Sequence, residues 1–236
     1  MADRGCAVIA GVGPGLGASL VRAFAAKGFN IAAASRRVDA LTGILGEVSG
    51  VETRAYGCDV SDEADVDTLF ERAEADLGPV EVAIFNAGSR IRGGLLELSS
   101  ADFEQSWRIG CLGGFHVGKA AASRMLPRAR GTILFTGATA ALRGGAGFLT
   151  LAVPKFGVRA LAQSMARELG PQGLHVAHVI IDGQILSDRH AELARQRPED
   201  GLLSPDAIAA EYVHLHEQPR SSWTQELDLR PWVEKF

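Results

Sequence analysis

The chain has 236 residues, 47% of them hydrophobic, which is ample for one well-buried domain and short for two. A formal net charge of −4 offers no general attraction for nucleic acid or an anionic membrane, and no apolar run reaches the roughly 18 residues of a membrane span. Met1-Ala-Asp-Arg4 lacks the hydrophobic core of a secretory signal. Cys6, Cys58 and Cys111 are scattered and odd in number, so no metal site and no disulfide framework is expected, but reduced thiols in a cytoplasmic protein.

In chain order, Cys6–Ala10 reads as a buried strand, followed by a glycine-rich turn and a helical pattern over Leu16–Lys27 that Gly28 stops. A second strand is expected at Ile31–Ser35, a helix near Val38–Val48, and a third strand ahead of Asp59-Val60. Ser61, with Glu63 and Asp65 behind it, starts a helix over Asp62–Leu77, and Gly78-Pro79 ends it. Val82–Phe85 is the next strand and Ala101–Leu126 a long helix. Thr132–Thr136, a helix over Lys155–Leu169 ended by Gly170-Pro171, and strand His175–Ile181 follow. Asp182–Pro205 is polar, without a clear period, and is expected to be a lid or substrate loop. Ser204-Pro205-Asp206 opens a further short helix, and Thr224–Arg230 alternates as an edge strand would.

Strands alternating with helices define an α/β protein. We expect a single doubly wound Rossmann-type domain over residues 1–236, a parallel sheet with helices on both faces.

The turn Gly11-Val-Gly-Pro-Gly15-Leu-Gly17 sits between the first strand and the first helix. Glycines there let the backbone turn sharply and approach a pyrophosphate, while free amides at the helix start attract its charge. Together with Asp59-Val60 after the third strand and Asn86-Ala-Gly88 after the fourth, this turn resembles the short-chain dehydrogenase/reductase family over nearly the whole chain. Ala10 departs from the pattern, standing where the family often has threonine.

The resemblance implies a sheet of about seven strands in the order 3-2-1-4-5-6-7 and a bound nicotinamide dinucleotide. Gly11, Gly13, Gly15, Leu16 and Gly17 would form the phosphate cradle. Asp59 and Val60 would flank the adenine, and Asn86, Ala87 and Gly88 would line the central strand end. After the second strand stands Ala34-Ser35-Arg36-Arg37, with no acid to grip a ribose 2′-hydroxyl but with a guanidinium suited to a 2′-phosphate. NADP(H) is therefore favoured over NAD(H), through Ser35 and Arg36, with Arg37 solvated.

By the same resemblance, relatives use a serine, a tyrosine, a lysine and an asparagine for carbonyl chemistry. A phenol serves as an acid or base near neutral pH only when a nearby ammonium favours its anion. Lys155 matches the lysine and keeps a ribose-binding role. The tyrosine slot four residues earlier holds Leu151, the serine slot Ala138 and the asparagine slot Gly110. Thr139 and Thr150 lie one residue off their slots, a rotation of about 100° on a helix. Thr139 is a candidate hydrogen-bond donor to a carbonyl, and Asp182 is the one titratable newcomer, weighed against a plain turn aspartate. His116 and Lys119 read as structural or solvated, and His178 as a core histidine.

Three functions stay open. The first is an NADP(H)-dependent oxidoreductase with weak or atypical hydride transfer on an unknown small molecule. The second is a non-catalytic dinucleotide-binding pseudoenzyme, a sensor or assembly subunit. The third is non-redox catalysis in the same cleft. A homodimer or homotetramer is expected through the glycine-bearing helix around Gly110–Gly118 and the helix from Lys155.

Overall fold

The seven strands, all parallel, lie in the order β3-β2-β1-β4-β5-β6-β7. They are β1 Cys6–Ala10, β2 Asn30–Ser35, β3 Thr53–Gly57, β4 Val80–Phe85, β5 Gly131–Thr136, β6 Leu174–Ile181 and β7 Glu226–Leu229. The computed structural model describes residues 5–234.

Strand alternation divides the apolar residues between two cores. Cys6, Val8 and Ala10 of β1 point to one face of the sheet, while Ala7 and Ile9 point to the other. Every residue of β1, β4, β5 and β6 is buried, which only a sheet covered on both sides permits. Between β1 and β4 the strand order reverses, so the chain leaves the two strand ends in opposite directions and opens a crevice there.

The helices are α1 Leu16–Ala26, α2 Thr42–Gly46, α3 Glu63–Leu77, α4 Ser100–Trp107, α5 Gly113–Met125, α6 Leu149–Leu169, α7 Ala191–Gln196 and α8 Pro205–Glu217. Two departures from the sequence expectation bear on the site. The helix expected over 101–126 is continuous but not uniform: Arg108–Leu112 forms a π turn, in which the Gly113 amide reaches back five residues to the Arg108 carbonyl. Helix α6 starts at Leu149, not Lys155. Pro154 lies within it, and it has no N–H to return to the Thr150 carbonyl, which is why a sequence reading places the boundary there. Leu151 and Lys155 therefore share one helix face.

The insertion 182–205 is also less irregular than expected. Leu186 N–H donates to Leu203 O at 2.8 Å and Leu203 N–H to Gln184 O at 2.9 Å, closing its neck, and α7 forms beyond. Six residues show no readable amphipathic period. Among the described residues no helix is long and apolar enough to cross a membrane.

Candidate functional site

The glycines of the first turn divide by role. Gly11 has φ +96°, and a Cβ there would lie 2.4 Å from the Ala87 nitrogen; at Gly17 it would lie 2.8 Å from Val12 Cα. These two allow close packing. At Gly13 and Gly15 a Cβ would meet nothing within 4 Å, so they face open space. Helix α1 begins at Gly15 without a side-chain cap, leaving its first amides and positive end directed at that space. The opening is a groove of about 560 Å³ that runs past Arg36, Asp59, Val60 and Asn86 to Gly88. An open cradle at bare helix amides, at the reversal of strand order, fits a dinucleotide pyrophosphate.

Asn86 ties the strand ends beneath the groove. Its Nδ2 donates to Gly11 O at 3.0 Å, its backbone N–H to Ala10 O at 2.8 Å, and its Oδ1 accepts from the Thr136 hydroxyl at 3.1 Å.

At the other end, Asp59 Oδ1 accepts from the Ser61 amide at 2.9 Å and the Ser61 hydroxyl at 2.7 Å. Burial works to raise the Asp59 pKa. The Ser61 bonds, with Arg36 and Arg108 nearby, outweigh it and hold the carboxyl below its ordinary value. Arg36 and Arg37 are exposed on the groove rim. The Ser35 hydroxyl donates to Arg37 O at 2.9 Å, so it braces this turn and offers a ligand only its acceptor face. His116, buried, bonds Val60 O at 3.0 Å and fixes the wall beside it, the structural role expected of it. Lys119 pairs with Glu63 at 2.7 Å on the surface.

At the sheet centre Lys155 is buried, its Nζ donating to Thr136 O at 2.6 Å. Burial alone lowers its pKa from 10.5 to about 8. Its ammonium also stands 4.0 Å from where a Gly88 Cβ would be, at the floor of the groove. Thr136 links it to a residue sequence reasoning missed. Because the Thr136 hydroxyl proton goes to Asn86, the Tyr212 hydroxyl must donate to Thr136, at 2.8 Å. Tyr212 is fully buried on the far core, and burial raises its pKa. This phenol is sealed from the groove.

The three residues at the expected slots are not equivalent. Ala138 and Leu151 are half-buried. Gly110 is buried in the π turn, and a Cβ there would stand 2.9 Å from Pro154 Cβ and 3.3 Å from its Cγ. The proline has closed the space an asparagine would use. The one signal for this in the sequence is Pro154 itself, just ahead of the helix expected from Lys155.

Thr139 and Asp182 are brought together. The threonine hydroxyl donates to Asp182 Oδ1 at 2.6 Å, and Arg230 pairs with Asp182 Oδ2 at 3.4 Å. Asp182 is 3% exposed and thus a buried, paired turn aspartate. His178 is fully buried beside Gly137, its Nδ1 bonded to Glu226 at 3.2 Å, and burial lowers its pKa to about 4. Among the described residues no His, Cys, Asp or Glu group could hold a metal.

A seven-stranded doubly wound sheet with a glycine cradle at its switch point defines a dinucleotide-binding α/β protein. A family model described as short chain dehydrogenase matches residues 5–198, and the chain belongs to that family, whose members are nicotinamide-dependent oxidoreductases. It is 34% identical over 172 residues to the (21S)-21-acetoxyl-apo-melianone synthase SDR of Melia azedarach, covering 72% of this chain and 63% of that enzyme. A crystal structure of a short-chain dehydrogenase from Rhodopseudomonas palustris superimposes with a TM-score of 0.82 at 39% identity, covering 96% of this chain and 99% of that one. A metagenomic short-chain oxidoreductase in complex with NADP gives 0.85 at 24% identity, with 98% and 99% covered, a likeness of fold.

Proposed function

We propose that the chain binds NADP(H) in the groove and transfers hydride only weakly, or to acceptors that take no proton from the protein in the same step. One observation carries this reading: Leu151 stands one helical turn before Lys155, and the hydroxyl and carboxyl groups weighed as substitutes are already engaged. Thr139 is donated to Asp182, Asp182 is paired with Arg230, and Tyr212 is sealed behind Thr136. Losing one positioned general acid costs about 10²–10⁴ in rate. Ordinary ketone reduction is therefore disfavoured, and an activated alkene or iminium is the fitting acceptor.

When bound, the dinucleotide supplies the hydride. The chain's own part is to hold it: Gly13, Gly15 and the amide of Leu16 at the pyrophosphate, Asp59 and Val60 at the adenine, Arg36 at the 2′-phosphate, and Lys155 at the nicotinamide ribose. Residues 182–205 serve as the substrate lid. The second reading, a dinucleotide sensor without turnover, is favoured by Pro154, which fills the asparagine slot with packing.

Titrating the protein with NADPH and NADH separates these statements. NADPH is expected to bind about tenfold or more tightly than NADH, with Arg36→Ala removing the difference. Single-turnover oxidation of bound NADPH by an enone, without oxidation by a simple ketone, supports the leading reading. Binding without oxidation by either supports the sensor, and absence of binding defeats both.

A further inference from the structure

The loop that leaves Gly88 carries two arginines with no role so far. Ile91 is clamped at its middle: the Thr150 hydroxyl donates to Ile91 O at 2.6 Å and accepts from Ile91 N–H at 3.1 Å. Thr150 is 1% exposed, so the clamp is part of the core. In extended chain, residues two apart point the same way, and Arg90 and Arg92, flanking the clamped Ile91, do so. Their guanidinium carbons lie 5.9 Å and 4.7 Å from the centre of the Phe148 ring.

Arg90 and Arg92 are exposed, so solvent screens much of their mutual repulsion, and what remains would be removed by an anion joining them. None does among the described residues: no carboxylate lies within ion-pair distance of Arg90 or Arg92. Glu97, the acid of the same loop, is turned onto the Gly94 amide at 2.7 Å. A guanidinium held over an aromatic face keeps its N–H edge free for bidentate bonds to a carboxylate or phosphate.

The place is equally specific. Phe148 O accepts from the amides of Leu151 at 3.0 Å and Ala152 at 2.8 Å, so Phe148 is the residue at the start of α6, about one turn ahead of the Leu151 slot. Gly88, two residues before Arg90, lines the dinucleotide groove beside Lys155. We propose that Arg90 and Arg92 form an anion subsite on the substrate side, so that this chain's ligand is a small molecule bearing a carboxylate or phosphate next to an apolar body. The proposal rests on reading the Lys155 end of the groove as the reacting end.

The test uses three probes of similar shape, 3-phenylpropanoate, phenyl phosphate and the neutral 3-phenylpropanamide, titrated against the protein with NADP⁺ present. An anionic probe is expected to bind about tenfold or more tightly than the amide, and to lose about tenfold in Arg90→Gln/Arg92→Gln. Whichever of carboxylate and phosphate binds more tightly identifies the group the subsite takes. NADP⁺ affinity within about twofold in that variant reports an intact fold and groove. Equal binding of amide and anions, undiminished anion binding in the double variant, or no anion binding at all overturns the subsite. Failure of NADP⁺ to bind defeats the groove instead, and the probe series on the protein alone then still decides the arginines.

Discussion

Lys155 occupies a position that carries an electrostatic cost. Its ordinary pKa of 10.5 falls to about 8 because its charge is buried with one hydrogen bond, to Thr136 O. Below about pH 8 the folded and unfolded chains are both protonated there, so burial of the charge weighs fully on stability. Between pH 8 and 10.5 the unfolded chain binds more proton, and stability rises with pH. The full difference is on the order of 3 kcal/mol. Lys155→Met is therefore expected to be as stable as the parent or more so at pH 7, to flatten the rise above pH 8, and to weaken dinucleotide binding. Urea unfolding at pH 7 and pH 9.5, beside a binding titration, reads all three. A variant that unfolds more readily at pH 7 would show that the lysine serves packing rather than a ligand.

At the scale of elements, the π turn and α6 have been fitted to one another. Gly110 is the point of contact, and Pro154 occupies the space its missing side chain leaves. Placing the groups expected at these slots with Leu151→Tyr, Ala138→Ser and Gly110→Asn consequently meets a steric obstacle at the third change. Gly110→Asn is expected to destabilise by about 1–3 kcal/mol through overpacking. In combination with Pro154→Gly, which removes both contacting carbons, a double-mutant cycle should return a favourable coupling of about 0.5–3 kcal/mol. Additive effects would mean that the π turn moves aside freely. The same comparison, scored for ketone reduction, asks whether the substrate pocket survives once the helix is reopened.

For the whole molecule, the glycines of α5 do not do what the sequence suggested. Gly113 packs on Val60, Gly114 on Val158 and Phe85, and Gly118 on Met165 and Phe135, so they serve the chain's own core and not a second copy. The outward apolar residues of this region are Trp107, Phe115, Val153 and Phe156, each more than a third exposed. A homodimer or homotetramer is expected to cover them. Light scattering at micromolar concentration should report at least a dimer, and Phe156→Glu should shift it toward monomer. A monomeric parent protein would remove the oligomer from the account.

The sequence by itself determined the alternation of strands and helices and the glycine-rich turn after the first strand, because these follow from local patterns of buried runs, strand-end glycines and helix stops; the strand order and the dinucleotide came through the resemblance those motifs carry. It also set the expectation that Leu151, Ala138 and Gly110 stand at the three slots, which is a question of identity at counted positions. Only the tertiary structure decided what those positions touch. Pro154 against Gly110, Tyr212 donating to Thr136 across 76 residues, Thr139 on Asp182, and Arg90 with Arg92 over Phe148 are contacts between distant segments. The edge strand β7 shows the same limit, since Glu226 is gripped by Arg159 at 2.7 Å through both carboxylate oxygens and by His178. Period and spacing report which face a residue presents. Which partner meets that face depends on how the elements pack, and packing is settled by the whole chain at once.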